Sequence, residues 1–115
     1  MYLPNIDRAV VAKEKITHYL LDITSQKGGP KARFFMRFGF SIEKWEVFEE
    51  AVRRQAREVE IARIEQSEVY GVYYIIEERL VAPDGRRPFV RTVWLVDEGE
   101  DFPRLISVVP ISGGG

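Results

Sequence analysis

The sequence predicts an α+β domain: three N-terminal helices followed by a four-stranded antiparallel meander, with the helices packed on one sheet face. Three observations predict it. Apolar residues recur at the helical period up to about residue 57 and at a period of two from residue 59 onward. The strand-like stretches are separated by turn signals, with Pro83-Asp84-Gly85 the plainest. The links between those stretches are too short for parallel crossovers, which need about a dozen residues.

Leu3-Pro4-Asn5 is a non-helical start, and Ala9-Val10-Val11 fits either a short extended segment or the first turn of a helix. Over 12–21 the pattern is helical, with Ile16, Tyr19 and Leu20 on one stripe. Gly28-Gly29 closes a polar loop, and Pro30 suits the first turn of a second helix over 31–38. Gly39 is its left-handed stop and Phe40 the apolar residue that follows. Ser41 is the expected cap of a third helix, with Phe40 and Trp45 as a hydrophobic staple. Trp45, Phe48, Val52 and Ala56 give that helix its core stripe.

Strands are expected over 59–65, 72–81, 89–96 and 105–109. The run Phe89-Val90-Arg91-Thr92-Val93-Trp94-Leu95-Val96 is the richest in β-branched and aromatic residues. Alternation puts Phe89, Arg91, Val93 and Leu95 on one face and Val90, Thr92, Trp94 and Val96 on the other. Both faces are mostly apolar, so an inner strand covered on each side is expected. One domain over 1–110 and a C-terminal tail over 111–115 complete the layout.

Composition narrows the function classes. The 115 residues are 45% hydrophobic and 30% charged with a net charge of -1, so bulk charge recruits neither nucleic acid nor membrane. With no cysteine, disulfides and thiolate zinc sites are excluded, and a cytoplasmic setting fits. No apolar run approaches the roughly 20 residues that span a bilayer, and the start lacks a secretory pattern. The single histidine, His18, rules out a two-histidine acid–base pair within one chain. No cofactor is implied.

Lys27-Gly28-Gly29-Pro30-Lys31-Ala32-Arg33 is the most suggestive local feature. A glycine loop entering a helix offers free backbone N–H groups to an anion, and Lys27, Lys31, Arg33 and Arg37 add cations without an acid among them. The spacing is not that of a Walker loop. The plainer alternative is a loop followed by a solvated basic helix face. Arg91 and Thr92, polar in an apolar strand, either line a site or are satisfied locally, Arg91 by a cross-strand carboxylate such as Glu77. His18 is the group best suited to proton transfer near neutrality, or simply an exposed helix residue. Tyr70, Tyr73 and Tyr74 fit base stacking or plain coverage of the sheet. Asp97, Glu98, Glu100 and Asp101 match no EF-hand spacing and read as a solvated acidic turn.

Several stretches together carry a family resemblance. They are Leu3-Pro4-Asn5-Ile6-Asp7-Arg8-Ala9-Val10, Tyr19-Leu20-Leu21, Gly29-Pro30-Lys31-Ala32-Arg33-Phe34-Phe35, Phe38-Gly39-Phe40 and Val90-Arg91-Thr92-Val93-Trp94. The chain resembles a bacterial domain-of-unknown-function family from Leu3 to about Pro110. More distantly, the order of helices then meander is similar to the barnase, colicin and RelE group of ribonuclease toxins, a likeness of fold order alone. Members of the family often carry Asn-Pro-x-His after Tyr-Leu-Leu, where this chain has Asp22-Ile23-Thr24-Ser25, so Ser25 stands in place of that histidine.

The resemblance implies a toxin-like, RNA-directed domain of the metal-independent endoribonuclease type. Lys31 and Arg91 would steady phosphate charge, Thr92 would position a group, and His18 or a tyrosine would move protons. Lys27, Gly28, Gly29 and Arg33 would bind phosphate. The competing expectation is a non-catalytic protein-interaction or toxin-neutralising module, a homodimer being one form, with Phe35, Phe38 or Tyr74 on its surface. The enzyme expectation reduces to one requirement: Lys31, Arg91 and Thr92 must face a common hollow.

Overall fold

The computed structural model describes residues 1–24 and 29–112. Helices α1 (Lys13–Lys15), α2 (Gly29–Met36) and α3 (Trp45–Glu58) precede strands β1 (Arg63–Ser67), β2 (Gly71–Arg79), β3 (Phe89–Asp97) and β4 (Pro103–Pro110). The strands pair antiparallel in the order β1-β2-β3-β4, the expected meander.

The best-defined helix is α3. Phe48, Ala51, Val52, Gln55 and Ala56 are its buried residues, spaced three and four apart. Its other flank is strengthened by Glu49–Arg53 and Arg54–Glu58 pairs, each four residues apart. The helix begins at Trp45 rather than just after Ser41. The Ser41 hydroxyl instead accepts the Lys44 N–H at 3.3 Å, closing a separate turn. At the end of α2 the stop is as expected: Gly39 takes φ +99°, and the Phe38 and Gly39 N–H groups bond back to Phe35 and Met36. The chain then returns so that Phe35, Phe40 and Phe48 meet edge to face, with ring centres 5.0–6.3 Å apart.

The first helix differs from expectation. Only Lys13–Lys15 is α-helical, and Ile16–Leu20 widens into a π turn closed by the Leu21 N–H on the Ile16 carbonyl at 2.8 Å. The wider turn lets Ile16, Leu20 and the next residue, Leu21, all point into the core. Upstream, Val10 takes the extended alternative and bridges parallel to Arg104 on the β4 edge.

Alternation sorts the sheet into two faces. Ile76, Val90, Thr92, Trp94, Leu105 and Val108 are buried on the helical side and, Thr92 apart, belong to the main core. Ile75 and Leu95 on the opposite side stand outside it. Leu95 is flanked in register by Tyr73 and Arg104 and is buried although no helix covers it. Full coverage of both faces of β3 is therefore not realised: α-helices cover one side only. At the β1–β2 turn, Gly71 has φ +133° and packs so closely on Val96 that an added Cβ would lie 2.1 Å from its carbonyl oxygen. A bulge in β4 leaves Ile106 unpaired between the Trp94–Leu105 and Val93–Ser107 pairs.

Candidate functional site on the two faces of the sheet

The adjacent residues Arg91 and Thr92 end on opposite sides of the sheet. Thr92 is fully buried beneath α3. Its hydroxyl donates to the Gln55 side-chain oxygen at 2.6 Å and accepts from the Trp94 indole N–H at 3.1 Å. The Gln55 amide nitrogen donates in turn to the main-chain oxygens of Glu78 at 2.9 Å and Val90 at 3.4 Å. Every buried side-chain polar atom among the described residues has a partner. With both its donor and acceptor engaged and no solvent access, Thr92 has no way to position a substrate. It holds α3 to the sheet.

Arg91 lies on the helix-free face. Its Nε donates to Glu77 Oε2 at 2.7 Å, and Arg63 reaches the same oxygen at 3.4 Å from the other side. This forms an arginine–glutamate–arginine ladder across β1, β2 and β3. The Arg91 hydrogen bond holds the Glu77 carboxyl below its usual range, and the charges of Arg91 and Arg63 add to this against a desolvation cost. Glu77 is thus ionised at neutral pH, and a carboxylate so stabilised is a poor proton acceptor. Nearby, Arg104 grips Asp97 at 2.7 and 3.1 Å through two nitrogens, depressing the Asp97 pKa through that hydrogen bond.

Lys31 sits in the helical layer, its ammonium 5.5 Å from the centre of the Tyr19 ring. Lys31 and Arg91 therefore occupy opposite sides of the sheet, and the common hollow with Thr92 is not formed. His18 is exposed in the middle of the π turn. Gly29 opens α2 and is buried, with an added Cβ 3.0 Å from the Ile23 carbonyl oxygen. Arg33 is exposed and, with Ile23, Pro30, Met36 and Arg37, borders a shallow cavity of about 570 Å³. Lys27, Gly28 and Ser25 lie outside the described residues. Of the expected surface aromatics, Phe35 is fully buried, while Phe38 and Tyr74 are partly buried against the core.

The acidic turn is tied up by arginines, Asp97 by Arg104 and Asp101 by Arg8 at 2.7 Å. Among the described residues no group of three or more acidic or histidine side chains is placed to hold a metal ion. No helix among them is long and apolar enough to cross a membrane.

Sequence reasoning passed over Gln55, although a signal for it existed. It stands seven residues after Phe48 and three after Val52, on the apolar stripe of α3, where a polar side chain must find a buried partner. Arg63 and Lys15 carried no comparable mark, because surface cations abound in this chain.

The fold and its polar groups thus define an α+β domain with one helix-clad face and one open face carrying an ion-pair ladder. The chain belongs to the family described as domain of unknown function (DUF6883), whose model matches residues 2–112. No curated protein sequence matches it. Its fold is shared with a chain in the solved structure of a contact-dependent growth inhibition toxin–immunity protein complex from Klebsiella pneumoniae 342. The TM-score is 0.71 at 20% identity, covering 94% of this chain and 97% of that one. At that identity the likeness is one of fold alone.

Proposed function

We propose that this chain is a toxin-related module that works through a protein partner, as one half of a toxin–immunity pair. The observation that supports it is the shared fold over nearly the full length of both chains, the neighbour coming from such a complex. The placement of Lys31 and Arg91 on different sides of the sheet, and the burial of Thr92, support this reading over one that needs the three in a common hollow.

A second reading, an RNA-directed domain of the metal-independent endoribonuclease type, keeps one specific support. The Arg63–Glu77–Arg91 ladder lies on an open sheet face, where the arginines offer planar donors for a phosphate. Its weakness is that both arginines already hold a carboxylate.

One experiment separates the two. The chain is expressed in a bacterial host alone and with the protein encoded by the gene adjoining its own. Purified chain is then tested on total RNA in EDTA and titrated calorimetrically with that protein. The partner reading expects a complex with Kd below about 1 μM and intact RNA. RNA cleavage that Arg91→Ala abolishes while the protein stays folded would establish the second reading instead.

A further inference from the structure

The two edges of the sheet are finished differently. On β4, Val10 pairs with the edge: its N–H donates to the Pro103 carbonyl and its own carbonyl accepts the Leu105 N–H, each at 2.9 Å. Beyond it a bulge interrupts the strand, and the Lys15 ammonium donates to the Ile106 carbonyl at 2.9 Å. A covering segment, a bulge and a lysine all keep an edge from recruiting another strand. At the opposite edge, β1 has none of the three. Among the described residues its backbone hydrogen-bonds only to β2. Alternate residues of such an edge turn their N–H and carbonyl groups outward, unpaired. Arg63, Ile64, Glu65 and Gln66 are exposed. Val69, at the turn that follows, is at 73% the most exposed large apolar side chain among the described residues.

The charges on β1 select what pairs with it. Arg63 and Glu65 lie on the open face, and Ile64 stands between them on the helical side. Arg63 is held loosely, 3.4 Å from both Glu65 and Glu77, whereas Arg8, Arg91 and Arg104 approach their carboxylates to 2.7 Å. The Arg63–Glu65 contact is exposed, so exchanging it for another costs little. A second, antiparallel β1 centred on Ile64 sets Arg63 opposite Glu65 on both sides of the axis, with Ile64 against Ile64. Centred on Glu65, the same strand sets carboxylate against carboxylate. A parallel, in-register copy stacks Arg63 on Arg63. Opposite charges across a ladder attract and like charges repel. The favoured register is therefore self-complementary, as a twofold contact requires.

We propose that two copies of this chain join antiparallel through β1 about Ile64, fusing their four-stranded meanders into one continuous sheet. The twofold axis stands normal to that sheet, so the helices of both copies lie on one side and the two open faces become continuous. The occupant of the edge is a second copy because the charges that match β1 are those of β1 itself. A strand of five residues on each side buries less surface than a permanent dimer, so association depends on concentration. The proposal does not depend on the toxin–immunity reading.

Sedimentation velocity on the full chain, from about 5 to about 500 μM, should show a monomer–dimer equilibrium, as expected of a small interface. Arg63→Glu places carboxylates opposite each other on both sides of the axis, and Glu65→Arg does the same with cations. Each should weaken the dimer about tenfold or more, with far-ultraviolet circular dichroism confirming the fold. An equimolar mixture of the two variants regains both opposite-charge pairs and should dimerise again, a rescue that misfolding of either variant cannot produce. A chain that stays monomeric throughout the range overturns the proposal. So does a dimer that both single variants leave intact, since it would rest on another surface. Backbone amides of β1 that gain protection from hydrogen exchange only when the second protein of a toxin–immunity pair is added would also overturn it, giving the edge to that protein.

Discussion

Thr92 and Arg91 are adjacent in the chain and live in different solvents. Under α3, Thr92, Gln55 and Trp94 form a closed hydrogen-bond network with no exposed member. On the far side, the Arg91 side chain is 35% exposed and pairs with a Glu77 that is 24% exposed. In the first setting water cannot replace a lost partner, so each hydrogen bond is hard to do without. In the second, water and salt compete for every charge, so the ladder adds little to stability and stays open to exchange with a ligand. The helical side holds the domain together, and the open side presents its ion pairs to solvent.

The largest separation of the two faces should come from Trp94. Trp94→Ala removes a fully buried side chain and one end of the network, and should cost about 3–5 kcal/mol in urea unfolding. Arg91→Ala on the opposite side should cost far less, and equal losses would break the comparison. A finer probe is Thr92→Val, which keeps the shape but strands the Gln55 oxygen and the Trp94 N–H. The expected loss is about 1–3 kcal/mol, again by urea unfolding. A neutral result would mean that the network is dispensable and the burial alone matters.

The smallest effect lies on the open face. Glu77→Gln should cost under about 1 kcal/mol near neutral pH. Its signature is in acid. The folded-state pKa values of Glu77 and Asp97 lie below their ordinary 4.5 and 3.8, so the unfolded chain binds more protons in that range. Their contribution is therefore complete above those ordinary values and is lost as pH falls through the folded ones. Glu77→Gln should flatten part of that acid decline in pH-dependent unfolding, whereas Thr92→Val should lower stability evenly across it. A Glu77→Gln profile parallel to the wild type would show that the ladder carries no net coupling.

Much of the architecture was legible from residue pattern. Phe48, Val52 and Ala56 marked α3, Gly39 marked the end of α2, and the alternation from Val90 to Val96 placed Trp94 and Arg91 on opposite faces. The π turn at Ile16–Leu20 was not legible, because a helical stripe looks the same whether a turn closes at four residues or five. Ser41 fitted a helix cap by type and spacing, yet it caps a turn four residues before α3 begins. At the candidate sites, the Glu77 partner of Arg91 followed from cross-strand pairing. The Gln55–Thr92 bond, between residues 37 apart, did not.

The sequence by itself determined the order of elements, the meander and the two faces, because period and turn chemistry are local properties of the chain. Tertiary structure alone decided which polar groups were spent and which were left over. Thr92 was consumed by a helix that folds across it, Arg91 by the strand beside it, and Lys31 was carried over the Tyr19 ring in the helical layer rather than to Arg91. Those outcomes depend on how distant segments dock, and a side chain's chemistry is set by the neighbours that docking supplies.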